Sequence, residues 1–173
     1  MNGYDVAMRQ TLVMAIAMVL FGALCSAQKY TFPSRTENFR SPDGMLVAVV
    51  RSKHALEATD ESRIELRTPA GIASAKRDYT SEDGEHGYGV TKAAWTPDSQ
   101  FFVYSLESSG GHQAWNSPVW FFSRKENKFL SLDHALNDAV SNPDFHVSAP
   151  DRVTVELYFS KQTRTVALHR LRQ

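Results

Sequence analysis

Apolar residues are distributed along this chain in two ways. Near the start they form one continuous block, Thr11 to Leu24, reading TLVMAIAMVLFGAL. Beyond it they come in short runs rich in β-branched and aromatic residues, broken by polar turns, which is a strand-rich pattern. Three of these runs follow the same kind of turn. Ser41-Pro42-Asp43-Gly44 precedes MLVAVVRSK, Thr96-Pro97-Asp98-Ser99 precedes QFFVYSLES, and Ala149-Pro150-Asp151-Arg152 precedes VTVELYFSK. The aspartates lie 55 and then 53 residues apart, a spacing that marks stacked β units.

The turn has a physical basis. Proline presets φ at the first central position, and aspartate bonds its own backbone. Gly44 closes the first turn without steric cost. The run after each turn is apolar on both faces, so it predicts a buried strand. Further strands are predicted at Arg63–Thr68 and Ile72–Lys76, at Val90–Trp95, Pro118–Arg124 and Lys128–Leu132, and at Phe145–Val147 and Arg164–Leu171. The units are expected to hold four, four and three strands, three of the first unit's four being located here, and Tyr30-Thr31-Phe32 is expected to supply the missing edge strand of the third. One helix is predicted: Leu132, Ala135, Leu136, Ala139 and Val140 form a single apolar stripe, with Asp133 at its start and Asn142-Pro143 as its stop. Trp95 and Phe102 bracket the second turn and are expected in the core.

These turns and strands resemble the WD-like β-propeller repeats of the TolB type, which also form the non-catalytic domain of prolyl oligopeptidases. Ser41-Pro42-Asp43-Gly44 and Ala94-Trp95-Thr96-Pro97-Asp98, each with its following strand, carry the likeness. It covers most of residues 36 to 171 and is strongest in the first two units, since the third lacks the glycine and the hydroxyl residue before proline. The resemblance implies a binding scaffold with no catalytic residues. Propellers close with at least four blades, and about three are present here. The fold expected is therefore all-β, with three repeated antiparallel units and one short helix. An open propeller-like stack, a β-sandwich and half of a dimeric ring all remain open as its architecture.

The N-terminal block changes the picture of where the chain works. It is short for a bilayer span but fits the core of a signal peptide, with Arg9 as positive flank and Cys25-Ser26-Ala27 as a small-residue boundary. Cleavage after Ala27 is predicted, giving a signal peptide at 1–27 and a single domain at 28–173, periplasmic or secreted. A retained anchor is the competing reading, and Met8 is an alternative start. Cys25 follows Leu24, where a lipid-attachment cysteine follows a small residue, so lipidation is not expected. Cys25 is the sole cysteine, and its removal would leave no disulfide, thiol nucleophile or cysteine-ligated zinc. The domain would have 146 residues, a size that buries about 70% of its unfolded surface without a metal or disulfide. Lysine plus arginine and aspartate plus glutamate number 19 each. That balance argues against nucleic acid or an anionic membrane as the main partner.

Two loops carry candidate chemistry. Ser108–Ser117 reads SSGGHQAWNS and is longer than a hairpin needs. Gly110 and Gly111 allow close backbone approach, while His112, Trp115 and Asn116 offer a titratable donor, a stacking face and an amide. The competing reading folds Trp115 onto the sheet as packing. Asp78–Gly89 reads DYTSEDGEHGYG, where Glu82, Asp83, Glu85 and His86 have the chemistry of a hard-cation site or a proton-transfer pair. Their spacing matches no calcium loop, and a solvated acidic loop is the plainer reading. The six histidines (His54, His86, His112, His134, His146 and His169) show no ligand spacing, no nucleophile elbow is present, and Ser109 beside His112 lacks an evident orienting acid. No metal, cofactor or catalytic residue is predicted. The function expected is that of an exported, non-enzymatic protein binding a protein or small ligand in the cell envelope, with a homodimer among its possible states. A small extracytoplasmic hydrolase using the two loops, or a secreted inhibitor of another enzyme, is the alternative.

Overall fold

A computed structural model describes residues 35–53, 60–111 and 115–171. The predicted signal, its cleavage boundary and the Tyr30–Phe32 strand lie outside the described residues, as do His54 and His112.

The described chain is a succession of antiparallel meanders forming three sheets. The first holds β1 (Arg35–Arg40), β2 (Val47–Lys53), β3 (Glu61–Arg67) and β4 (Ala73–Asp78). The second holds β5 (Tyr88–Trp95), β6 (Phe101–Ser108), β7 (Val119–Ser123) and β8 (Lys128–Ser131). A short helix, α1 (Leu132–Leu136), then leads to the third sheet of β9 (His146–Ser148), β10 (Arg152–Glu156) and β11 (Thr163–Ala167), closed by a 3-10 turn, η1 (Leu168–Arg170). The four-, four- and three-strand sheets and the repeated, propeller-like arrangement agree with the expected fold, although the sequence pattern locates only three of the first sheet's strands. The turn motif does not mark β1, because its residues RTENFR carry only one apolar side chain, Phe39.

Alternation of side chains decides how the sheets stack. On β6, Phe102, Tyr104 and Leu106 face the first sheet and meet Ala48, Val50, Ile64 and Leu66. The intervening Phe101 and Val103 face the third sheet, meeting Val153, Val155, Phe145 and Leu168. The middle sheet is thus buried on both faces between two separate cores. That is why FFVYSL reads as apolar without alternation. Phe102 packs its ring against Trp95, Phe39 and Tyr104, with centroids 5.3, 5.7 and 5.8 Å away. Trp95 Nε1 donates to Phe39 O at 2.8 Å, tying the second sheet to the first. Tyr104 is fully buried, and its hydroxyl is satisfied by Tyr79 Oη at 2.7 Å.

The outward face of the third sheet is polar, and on that of the first Val47 and Val49 lie among charged residues. On the first, Arg51 and Arg67 both grip Glu65 and Arg63 pairs with Asp78. On the third, Arg152, Thr154, Glu156, Thr163 and Thr165 face outward, with Thr154 and Thr165 hydroxyls 2.8 Å apart. Neither surface offers an apolar face for another sheet, so the described structure is an open stack.

The first two Pro-Asp turns are built alike. Ser41 Oγ donates to Asp43 Oδ1 at 2.7 Å and accepts from Leu46 N, while Asp43 Oδ1 also accepts from Met45 N. Thr96, Asp98, Phe101 and Gln100 repeat these bonds one sheet along. Gly44 and Ser99 hold the same left-handed position, at φ 72° and 63°. The turns also touch in series: Asp43 N donates to Ser99 Oγ at 3.0 Å, and Asp98 N to Pro150 O at 3.1 Å. The third turn departs from the pattern. Ala149 has no hydroxyl to hold an aspartate, and Asp151 instead turns into the fold, where Oδ2 accepts from His169 N and Nδ1 at 2.9 and 2.7 Å.

The helix is shorter than the apolar stripe predicts. It is capped by Ser131, whose hydroxyl accepts from His134 N, and it ends where Asn137 turns left-handed at φ 52°. Asp133 therefore does not cap the start. Its carboxylate accepts from Val119 N at 2.9 Å and Val140 N at 3.0 Å, fastening the chain beyond the helix to β7. Val140 is buried as predicted, but it pairs with Leu157 in an isolated antiparallel bridge rather than extending the helix.

Candidate functional site

The loops singled out by the sequence lie at the end of the stack opposite the Pro-Asp turns. The register places Tyr88 beside Ser108 and Lys53 beside Glu61 at that end. The first layer of this end is a buried carboxylate. Glu61 is fully buried, and it accepts from Ser81 N (2.7 Å), Ser81 Oγ (2.6 Å), Gly87 N (2.8 Å) and Ser109 Oγ (2.8 Å). Burial alone would raise its pKa. The hydrogen bonds from Ser81, Ser109 and Gly87 outweigh it and hold Glu61 below the ordinary carboxylate range. Ser109 N also donates to Gly87 O at 3.0 Å. The two candidate loops are thus stitched together through one side chain that neither contains.

This arrangement fixes the hydrogen bonds of several candidate residues. Ser109 is buried and committed to Glu61, so its hydroxyl is not placed to act as a nucleophile. In the acidic loop, Asp83 Oδ1 accepts from Ser81 Oγ, Glu85 N and His86 N, and Oδ2 lies 2.5 Å from His86 Nδ1. The bonds from Glu85 N, Ser81 and His86 push the Asp83 pKa down. Glu82 and Glu85 are exposed, and among the described residues no three metal-capable side chains converge. The loop folds about Asp83 and Glu61 in an Asx-type turn.

A second layer projects beyond the first. Trp115, 44% exposed, stands against Tyr158 with ring centroids 5.1 Å apart, and Phe159, 70% exposed, lies 5.2 Å from Tyr158 and 6.4 Å from Trp115. Lys161 Nζ sits 4.0 Å from the Tyr158 ring centroid, a cation–π distance. The three rings touch one another outside both cores. Trp115 is therefore not folded onto a sheet; its support is the β10–β11 hairpin. Gly110 and Gly111 are exposed beside Ser109, and Asn116 is half-buried with Oδ1 unpartnered among the described residues.

One connector fixes both halves of this cluster. Ser117 N donates to Val140 O at 2.9 Å, and Tyr158 N donates to Ala139 O at 2.7 Å. Asp138 accepts from Phe159 N at 3.0 Å and Ser160 N at 3.1 Å. Its pKa falls, because these hydrogen bonds outweigh the opposing effect of desolvation. Asp133 in turn pins Val140. The aromatic residues thus stand on backbone held by residues 138–140, which suits them as anchors with little ordering cost on contact.

Sequence reasoning found Trp115 but not Tyr158, Phe159 or Lys161, because VTVELYFSK reads as one strand. The strand ends at Glu156. The signal lay in the pattern: Val153 and Val155 alternate with polar residues, and the unbroken Leu157-Tyr158-Phe159 breaks that alternation just before Ser160-Lys161. A second feature also escaped notice, the buried Asp151 holding His169 Nδ1, with Arg170 Nε 3.4 Å from the far ring nitrogen.

No protein-family model and no curated protein matches the chain.

Proposed function

We propose that this chain is an exported, non-enzymatic binding protein whose propeller-like stack presents Trp115, Tyr158 and Phe159 to a protein partner in the cell envelope. The carrying observation is the exposed three-ring cluster on pinned backbone. Trp115 and Phe159 remain largely open to solvent although each contacts another ring. Exposed aromatic side chains at a rigid site are the residues that dominate protein–protein contact energy. The rings pack against each other rather than around a space, so they suit insertion into a partner's surface more than enclosure of a small ligand. The resemblance to TolB-type repeats supports a binding role, and the signal-like Thr11–Leu24 block supports export. The hydrolase alternative has no support in Ser109, whose hydroxyl is buried against Glu61.

The test is a paired capture from the native envelope. Wild-type protein, Trp115→Ala and Phe159→Ala serve as baits after their thermal stabilities are compared. The proposal expects a partner retained by wild type and lost by both variants, with melting temperatures nearly unchanged. A partner captured equally by all three would place the contact elsewhere. For export, N-terminal sequencing of the extracytoplasmic form should begin at Gln28. Recovery of a chain retaining Thr11–Leu24 would overturn that part.

A further inference from the structure

The third sheet has three strands where the other two have four, and no other described strand pairs with β11 beyond β10. The ladder fixes which backbone groups are free. Leu157 N donates to Gln162 O at 2.9 Å and Leu168 N to Asp151 O at 3.1 Å. Hydrogen-bonded pairs alternate along an antiparallel ladder. Val155–Arg164 and Val153–Val166 are therefore the bonded pairs between, and Thr163, Thr165 and Ala167 aim their N–H and C=O groups away from β10. Among the described residues none of those three has a backbone partner on that side.

The last strands of the other two sheets are protected. β4 carries Lys76, Arg77 and Asp78 beside a bulge at Leu66/Arg67. β8 has four residues and runs directly into α1. Charges, bulges and short length are the devices that keep an edge from pairing. β11 reads TRTVA, with no proline, no bulge and one charge.

We propose that the β11 edge pairs with β11 of a second copy of this chain, antiparallel and centred on Thr165. The free groups argue for a copy as the occupant. Thr163 and Ala167 lie symmetrically about Thr165, so a two-fold axis through that residue satisfies every outward donor and acceptor on both edges. Thr165 then faces the partner's Thr165, and Thr163 faces the partner's Ala167. A Thr–Thr pair across strands is favourable. Arg164 falls opposite the partner's Val166, so no like charges meet. A two-fold interface requires this kind of self-complementarity. The product is a continuous six-stranded sheet joining two stacks. The inference does not rest on the proposed function, since the edge includes none of the three rings.

The experiment is sedimentation equilibrium of the purified chain from micromolar to near-millimolar concentration, with hydrogen exchange at the β11 amides. The average mass of wild type should rise towards twice the monomer, and the Thr163, Thr165 and Ala167 amides should exchange more slowly as concentration rises. Thr165→Pro deletes an outward donor without removing a bond to β10, which is where an edge strand tolerates proline. Thr165→Lys sets two like charges face to face only in the pair. Both should stay monomeric with unchanged circular dichroism, and if the proline variant does not fold, the lysine variant decides. A wild type that stays monomeric throughout overturns the proposal. So does a dimer that persists in Thr165→Lys. Concentration-independent protection of the three amides in a monomer also overturns it, because the edge would then be filled by the chain itself.

Discussion

Phe102 and Glu61 show how differently one buried side chain can matter. Phe102 has no exposed surface and sits among three other rings. Phe102→Ala should cost ~3–5 kcal/mol in a denaturant titration, the usual range for emptying a packed aromatic site; a change below ~1 kcal/mol would contradict the packing described. Both Phe102 and Trp95 were legible as core from their position around the second turn, because an apolar run with no polar alternation has no solvent face to occupy. Glu61 was not legible. Glutamate reads as a surface residue, and only the chain's return through Ser81, Gly87 and Ser109 makes it a core ligand for four donors. Glu61→Gln should destabilise by about 3 kcal/mol, since it leaves donors facing an amide in a buried site. The folded pKa lies below the ordinary 4.5. Its contribution is therefore fully present above that value and is lost as pH falls through the folded pKa. Thermal melts of wild type and Glu61→Gln should differ most at neutral pH and converge in acid. A constant gap down to low pH would mean that the carboxylate charge is not what holds the loops.

At the scale of the elements, turns were read well and ends were read poorly. The Pro-Asp motif located two of the turns down to their hydrogen bonds, because proline, aspartate and a left-handed fourth residue each impose local geometry. The helix was overextended because its apolar stripe continues past Leu136. Two effects outweigh the stripe: Asn137 turns left-handed, and Asp133 draws Val140 back to β7. A distant contact hid two of the three rings, Tyr158 and Phe159, since the end of β10 is set by the 138–140 connector. Two measurements test these elements. Ser99 accepts Asp43 N while holding φ 63°. Ser99→Ala should cost about 1 kcal/mol for the lost bond. Ser99→Gly should be milder, because glycine relieves the left-handed strain. Equal losses would show that strain at Ser99 contributes nothing. At Gly87, an added Cβ would lie 2.4 Å from both Tyr79 O and Glu61 Cδ. Gly87→Ala should therefore loosen the acidic loop at a cost of roughly 1–3 kcal/mol, seen as faster hydrogen exchange over residues 81–87 with the sheets still protected. Unchanged exchange there would show that the loop does not depend on that close approach.

For the whole molecule, the three units were legible because aspartate spacing reports unit length, whereas β1, with Phe39 as its one apolar residue, was not. The architecture was not, because spacing says nothing about which faces meet. That information lies in the polarity of the end sheets. Arg51, Arg63, Arg67 and Glu65 close one side with charge, and the threonines of β10 and β11 close the other. Each end unit is apolar on one face only, whereas the middle unit is apolar on both. Copy number is therefore written into the individual units rather than into any ring. Tandem duplication of the middle segment would supply a piece that can be stacked again, whereas duplication of either end would bury a charged or threonine-lined face. A lineage carrying this chain could lengthen it from the inside but not by adding to its ends.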